Sequence, residues 1–219
     1  VAAAGFRTVT NESGEFLISP TPIANPLVVS NEPVVIPDFS DGAAWNSEVV
    51  LVNTTENEMH GEVRFISQGS AAEPGTPIEV GIGDGSTSTS VLEYNIPPRS
   101  DQRFVTAGNA TRSDFPFSAK GGFTFRTPGT STIQFSGYAA AETVAANNPA
   151  NGLELVEFRQ NGITTGAAGS LAAPLRQTGR LFVESVGQVR SLIAIANPSD
   201  QDATVDFLFA DESGNTNGP

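Results

Sequence analysis

Few residues in this 219-residue chain could perform nucleophilic or acid–base chemistry. The chain has one histidine, His60, and no cysteine. No Gly-x-Ser-x-Gly elbow supplies an activated serine for a Ser-His-Asp triad. The lack of cysteine excludes thiolate nucleophiles, disulfides and zinc–thiolate sites, and one histidine cannot form a histidine metal cluster. We therefore predict no catalytic residues and no enzymatic activity.

Acidic loops are the candidates for binding a metal. Asp38 and Asp41 in "PDFSDG", and Asp211 and Glu212 in "ADESGN", offer hard oxygen ligands that suit Ca²⁺. These loops lack the spacing of an EF-hand, and "DESGN" also fits a hairpin turn with Gly214 at positive φ. We predict no cofactor, and calcium at Asp38, Asp41, Asp211 and Glu212 is the alternative.

Aromatic residues that could bind a sugar are also few. Glycoside hydrolysis needs only two carboxylates, and the 24 acidic residues supply many pairs. Aside from phenylalanine, however, Trp45, Tyr94 and Tyr138 are the only aromatic residues. Trp45 is predicted to be a core residue at the start of a strand, and an exposed platform for a glycan is the alternative.

The charge of the chain excludes one large class of partners. The formal net charge is −13, with 24 acidic against 11 basic residues. A nucleic-acid-binding surface needs Lys and Arg to neutralise phosphates, so we predict no nucleic-acid partner. No apolar run reaches the ~20 residues of a membrane helix, so we predict no membrane insertion.

Strand signals recur along the chain with turn residues between them. In "GEVRFIS", Val63 and Phe65 share one face, and Glu62 and Arg64 share the other. Such alternation is typical of antiparallel sheets with one solvated face. The predicted strands are Glu15–Ser19, Pro33–Ile36, Glu48–Asn53, Gly61–Ser67, Ser90–Ile96, Arg103–Thr106, Gly122–Arg126, Ile133–Ala139, Leu153–Arg159, Arg180–Glu184, Val189–Asn197 and Thr204–Phe209.

Four segments are distinct from these alternating strands. The run "GIGDGSTSTS" at 81–90 is predicted to be a loop, and the Ala/Asn-rich run at 139–152 a connection that could hold one helical turn. In "IPPRSDQRF", Arg99 and Arg103 are expected to form salt bridges with neighbouring acids, and contact with another module is the alternative. The proline-rich first 36 residues are predicted to form an extended arm.

The chain repeats itself after about 144 residues. Asn53 and Asn197 each end an apolar strand and begin a polar turn, for which asparagine is suited. The alignment pairs Val49 with Ile193, Leu51 with Ile195, Thr55 with Ser199, Val63 with Phe207, and Phe65 with Phe209. We predict an N-terminal arm or tail of a preceding unit at 1–36, one full unit at 37–179 and an incomplete second unit at 180–219.

The aromatic-led strand ending in Asn53, the "IPP" basic stretch and the "AIANPS" hairpin resemble tandem β-sandwich repeats of large bacterial secreted and surface proteins. The resemblance covers residues 39–214. It implies an all-β fold of antiparallel, Ig-like or jelly-roll-like sandwich repeats. It also implies an extracellular structural module, such as a subunit of a surface filament, sheath or adhesin stalk.

An incomplete sandwich exposes strand edges, so we expect self-association or contact with neighbouring repeats by strand complementation or stacking. A carbohydrate-binding module of a larger secreted protein, with a glycan on Trp45, is the alternative. The residues predicted to mediate assembly are Val34, Val35, Ile36, Ile193, Ile195, Phe207 and Phe209.

Overall fold

A computed structural model of the chain places only β-strands among its regular elements in the residues that it describes. Each strand pairing is antiparallel. The predicted all-β, antiparallel fold is thus confirmed. The described residues are 5–21, 34–42, 45–69, 73–108, 134–143, 151–173, 175–183, 191, 193–199, 201–211 and 213–217.

The strands follow one another with turns between them, as the turn-separated apolar runs predict. Numbered in chain order, they are β1 (Gly5–Thr10), β2 (Phe16–Thr21), β3 (Val34–Gly42), β4 (Trp45–Val52), β5 (Met59–Ser67), β6 (Val80–Ile82), β7 (Thr87–Thr89), β8 (Val91–Ile96), β9 (Asp101–Val105), β10 (Gln134–Thr143), β11 (Asn151–Gln160), β12 (Ile163–Leu171), β13 (Phe209–Ala210) and β14 (Thr216–Asn217). The predicted strand at Gly122–Arg126 lies outside the described residues.

One large sheet contains eight of these strands, in the order β12-β11-β4-β3-β10-β5-β8, with β9 also paired to β4. In the described residues, β3 and β4 pair only through Gly42 and Trp45, so the sheet turns a corner there. The chain then crosses from β8, which pairs with β5, to β9, which pairs with β4, through residues 97–100. The sheet consequently curls into a half-barrel.

The start of β3 is joined to the chain just after β12. Val35 N donates to Ala173 O at 3.0 Å, and Ala173 N donates to Val35 O at 2.8 Å. These two backbone bonds bring the first strand of the sheet next to the end of its last hairpin. β3 also crosses residue 36, where the sequence analysis divides the arm from the first unit.

The apolar core lies inside the curl of the sheet. Phe39 and Phe65 have no exposed surface, and their rings meet edge to face with centroids 5.3 Å apart. This geometry is the one favoured by the charge distribution of aromatic rings. The buried core cluster consists of Val34, Ile36, Phe39, Val49, Leu51, Met59, Val63, Phe65, Ile78, Val80, Tyr94 and Ile96.

Strand β5 shows why the sequence pattern predicts these elements well. Val63 and Phe65 are buried, whereas Arg64 is exposed and its guanidinium lies 2.8 Å from Glu62 Oε2. The two-residue period of the strand therefore separates a dry face from a wet one, as predicted.

The N-terminal arm contains a hairpin, β1–β2, that packs on β11 and β12. Asn11 Nδ2 donates to Thr164 O at 2.8 Å, Thr164 N donates to Glu12 Oε2 at 2.8 Å, and Arg7 forms an ion pair with Glu157 at 2.5 Å. The opposite face of the hairpin exposes Phe6, Phe16 and Ile18. The prediction of an extended arm missed strand β1 and the docking of this hairpin.

Three further strand assignments were missed. Residues 139–143, predicted to begin an Ala/Asn-rich connection, continue strand β10. Residues 80–89, predicted to be mostly loop, contain the β6–β7 hairpin, because buried Val80 directs this segment into the core. Strand β12 is rich in Ala and Gly and has weak strand propensity. Asn161 and Gly162, with φ of 52° and 81°, nevertheless form the two-residue turn that pairs β12 with β11. Such Asn-Gly turns are a strong hairpin signal.

The C-terminal segment has little pairing. Among its described residues, only the two-residue strands β13 and β14 pair, and only with each other. The predicted strands at Arg180–Glu184, Val189–Asn197 and most of Thr204–Phe209 are not paired in the described part of the chain. A strand needs a neighbour for its backbone groups, and the described residues supply none here.

We predict that Phe65→Ala lowers the free energy of unfolding by about 3–5 kcal/mol, because it leaves a cavity against Phe39 in a closed core. Urea denaturation followed by the fluorescence of Trp45, the sole tryptophan, would measure this change. Phe16→Ala removes an equal volume from a side chain that is 66% exposed and should change stability by less than about 0.5 kcal/mol. Equal effects of the two substitutions would contradict this location of the core.

Candidate functional site

The side chain of Asn53 joins three parts of the chain at the end of β4. Its Nδ2 donates to the carbonyl oxygens of Asn57 at 2.7 Å, Ile96 at 3.0 Å and Pro97 at 3.0 Å. Its Oδ1 accepts from Thr55 N at 2.9 Å. The residue is 1% exposed, so these bonds satisfy polar groups that water cannot reach.

The turn between β8 and β9 completes this site. Asn53 N donates to Ser100 O at 2.9 Å, and Arg99 N donates to Thr55 O at 3.2 Å. Arg99 adopts a φ of 54°, and its Nε lies 2.9 Å from Glu56 Oε1. The predicted salt bridges are confirmed, since Arg103 also lies 3.1 Å from Glu48. We call residues 53–57 the Asn53 loop and residues 96–100 the proline turn.

The same loop geometry occurs at Asn197, about 144 residues later. Asn197 Nδ2 donates to Gln201 O at 2.7 Å, and Ser199 N donates to Asn197 Oδ1 at 3.2 Å. Ser199 Oγ lies 2.7 Å from Asn197 Oδ1 and 3.1 Å from Gln201 O, and Gln201 N donates to Ser199 Oγ at 3.4 Å. Each contact has a counterpart among Asn53, Thr55 and Asn57. We call residues 197–201 the Asn197 loop.

The surroundings of the two loops differ. Asn197 is exposed, and in the described residues no carbonyl takes the place of Ile96 O or Pro97 O. The apolar residues that the alignment pairs also differ in their exposure. Val49, Leu51, Val63 and Phe65 are at most 1% exposed. The matching exposures are 53% for Ile195, 43% for Phe207 and 55% for Phe209, and Ile193 is partly buried.

The remaining predicted assembly residues lie in the large sheet. Val34, Val35 and Ile36 are buried in β3 and pair with Ala139, Ala140 and Ala141 of β10 in the same chain. Their backbone and side chains are therefore engaged within the described fold. Of the predicted assembly residues, those of the C-terminal segment are the accessible ones.

The predicted ligand platform is partly covered. Trp45 lies at the corner between β3 and β4, and its ring packs on Phe158 with centroids 4.8 Å apart. Its Nε1 is buried without a hydrogen-bond partner among the described residues. Tyr94 is a buried core residue, and the side chain of Tyr138 lies outside the described part.

The candidate calcium ligands are not brought together. Asp41 is fully buried and accepts a hydrogen bond from Gly108 N at 2.7 Å. Asp211 closes a hairpin turn and accepts from Ser213 N at 2.9 Å and Asn215 N at 2.8 Å, and the Asn215 side-chain amide lowers its pKa. Glu212 lies outside the described residues. Within the part that the structure describes, no group of three acidic or histidine side chains could hold a metal ion.

The structure reveals a buried carboxyl that sequence reasoning did not single out. Glu154 in β11 has no exposed surface, and Ser47 Oγ donates to its Oε1 at 2.5 Å. Burial raises the pKa of Glu154 well above its usual range, and the nearby Asp38 carboxyl raises it further. Burial also raises the pKa of Asp38 to about 6. Alternation gave no signal for this burial, because Leu153 and Leu155 flank Glu154 and predict that it faces solvent.

His60 lies at the surface on β5, and its Nε2 is 3.6 Å from Glu58 Oε2. Both side chains are about half exposed. Among the described residues there is no helix long and apolar enough to cross a membrane.

We predict that Glu154→Gln stabilises the protein at pH 8 but not at pH 4. The native state keeps a proton on Glu154 that the unfolded chain releases above about pH 4.5, so stability falls by up to about 1.4 kcal/mol for each unit of rising pH. Glutamine removes this loss. The raised pKa of Asp38 still makes the free energy of unfolding fall as the pH rises from about 4 to 6. Denaturation curves at several pH values would test this.

The matched control for this prediction is Glu93→Gln, which changes an exposed carboxylate on β8. It should leave the pH dependence of unfolding unchanged. If the free energy of unfolding of Glu154→Gln changes with pH in parallel with that of the native chain, Glu154 is not protonated in the folded state.

We predict that Asn53→Ala lowers the free energy of unfolding by about 2–3 kcal/mol, because Ile96 O loses a buried hydrogen bond and Asn57 O and Pro97 O each lose one of two donors. Asn197→Ala deletes the same side chain from the exposed copy of the loop and should cost less than about 1 kcal/mol. Thermal unfolding followed by Trp45 fluorescence compares the two. Similar losses of unfolding free energy in the two variants would show that only the bonds within each loop contribute to stability.

Comparison of the chain with protein-family models, with curated proteins and with solved structures finds no match. Its function must therefore be inferred from its own geometry. The feature that stands out is the pair of loops with matching hydrogen bonds, one buried beneath the proline turn and one exposed.

Proposed function

We propose that the chain is a structural module of an extracellular protein built from serial β-sandwich repeats, as in a surface filament, sheath or adhesin stalk. Its units would assemble by strand complementation or by stacking of neighbouring repeats. One observation carries this proposal: the Asn197 loop reproduces five contacts of the Asn53 loop at the alignment that the sequence repeat requires.

The exposed apolar residues of the C-terminal segment support the same proposal. Ile193, Ile195, Phe207 and Phe209 occupy positions whose first-copy counterparts are core residues. Burying a fully exposed aliphatic or aromatic side chain is worth about 1.5–3 kcal/mol. Ile195, Phe207 and Phe209 are about half exposed and Ile193 is partly buried, so covering all four would contribute roughly 3–6 kcal/mol. A gain of this size favours adding strands over leaving the segment in water.

The composition supports an extracellular structural role over other roles. A net charge of −13 keeps an extended array soluble and repels nucleic acid. The apolar positions at issue lie in segments that the sequence predicts as strands, and the face that such strands would form suits another sheet better than a small ligand.

A chimera tests whether the segment is a second copy. Residues 1–209 joined to residues 66–179 continue the second copy as the alignment requires, because Phe209 matches Phe65. We expect the amides of Ile195 and Phe207 to gain about 10³-fold protection from hydrogen exchange, which corresponds to ~4 kcal/mol of local stability.

The matched control joins residues 1–209 to residues 67–179. Deleting one residue turns each later side chain of the strand to the opposite face, so this chimera should gain no protection. If both chimeras leave Ile195 and Phe207 unprotected, the second copy does not fold and the proposal fails.

A further inference from the structure

We propose that the Asn197 loop is a docking site for a proline turn carried on an extended segment. This inference rests on the proposed function and deepens it by naming the chemistry of the partner. The partner carries an apolar residue, two prolines and an arginine, as Ile96–Arg99 do in this chain.

The occupied loop shows what docking requires. Four bonds join the Asn53 loop to backbone atoms of the proline turn: Asn53 Nδ2 to the Ile96 and Pro97 carbonyls, Asn53 N to Ser100 O, and Arg99 N to Thr55 O. The ion pair between Arg99 and Glu56 adds a side-chain contact. The turn is therefore recognised mainly through its backbone geometry.

The two prolines explain why such a turn fits the loop. Proline has no N–H group, so the carbonyls of the turn face Asn53 without a competing donor from Pro97 or Pro98. The proline rings also fix φ, which lowers the entropy lost when the turn is held in place. A flexible segment would lose more conformational entropy on docking.

The Asn197 loop already has the required shape. Its internal contacts position the Asn197 amide as they do at Asn53, and within the described residues Nδ2 donates to Gln201 O alone, which uses one of its two N–H groups. In the described residues the backbone N–H of Asn197 has no counterpart to the Asn53 bond with Ser100. The loop thus presents two donors where the proline turn of the first copy places its carbonyls.

Charge and apolar contacts select the same partner. Arg99 of the proline turn pairs with Glu56, and the sequence places an acid, Asp200, at the matching position. Tyr94 and Ile96, which precede the turn at alternate positions, are core residues of the first copy. A segment with the same pattern would cover the exposed Ile195 and Phe209.

The test uses the full chain and a synthetic peptide with the sequence of residues 91–105, VLEYNIPPRSDQRFV, labelled for fluorescence anisotropy. We expect saturable binding, and an increase of at least tenfold in Kd with Asn197→Ala. Asn215→Ala, which removes an exposed amide from the Asp211 turn, is the matched control and should leave Kd unchanged. A peptide with alanine in place of both prolines should bind at least tenfold more weakly.

Two results would overturn the inference: no saturable binding, or binding that Asn197→Ala does not weaken. A chain that dimerises through residues 193–209 and excludes the peptide would also overturn it, because a second copy would then be the occupant. Trp45 fluorescence reports whether each variant keeps the fold of the first unit.

The chimera separates this inference from the proposed function. If the chimera in correct register gains protection from hydrogen exchange but Asn197→Ala does not weaken binding of the peptide, the repeat stands and the docking role fails. If the peptide binds through Asn197 but the chimera gains no protection, the docking role stands and the serial repeat fails.

Discussion

The fold of the first unit depends on one buried primary amide. Asn53 connects the end of β4 to the loop that leads into β5 and to the turn that leads from β8 to β9. These connections are the places where the chain passes between the two sides of the curled sheet. The amide is 1% exposed, and its bond to Ile96 O is buried, whereas Asn57 O and Pro97 O also accept from the hydroxyls of Thr55 and Ser100.

The two Asn loops separate local from non-local sources of structure. Five residues are enough to specify the loop, since its bonds join residues two or four positions apart. Burial cannot be specified in this way, because it needs strands that are distant in the sequence. The second loop consequently has the local hydrogen bonds of the first, while Phe207 and Phe209 of the same segment stay exposed.

Sequence reasoning predicted the fold where side chains alternate strongly. Val63 and Phe65 marked β5 correctly, and Asn53 was correctly placed at the end of a strand. The Ala/Gly-rich strand β12 was missed because its pairing comes from the Asn161–Gly162 turn and from β11, and its own residues have little strand preference. The arm was predicted as extended because it is rich in proline. It contains a hairpin that contacts the distant residues Arg159 and Thr164.

The site was less predictable than the fold, for a physical reason. The acids chosen as metal ligands were selected by their spacing along the chain, whereas the sheet places Asp38 near Glu154 by pairing strands more than a hundred residues apart. The position of Asn197 in the alignment was visible in the sequence. That its amide keeps the geometry of Asn53 required coordinates.

The bridge between Val35 and Ala173 has a mechanical consequence. The two hydrogen bonds place the points where the chain enters and leaves the first unit side by side. Tension on an array of such units would pull these points apart across the strands. The two hydrogen bonds between Val35 and Ala173 would then break one after the other.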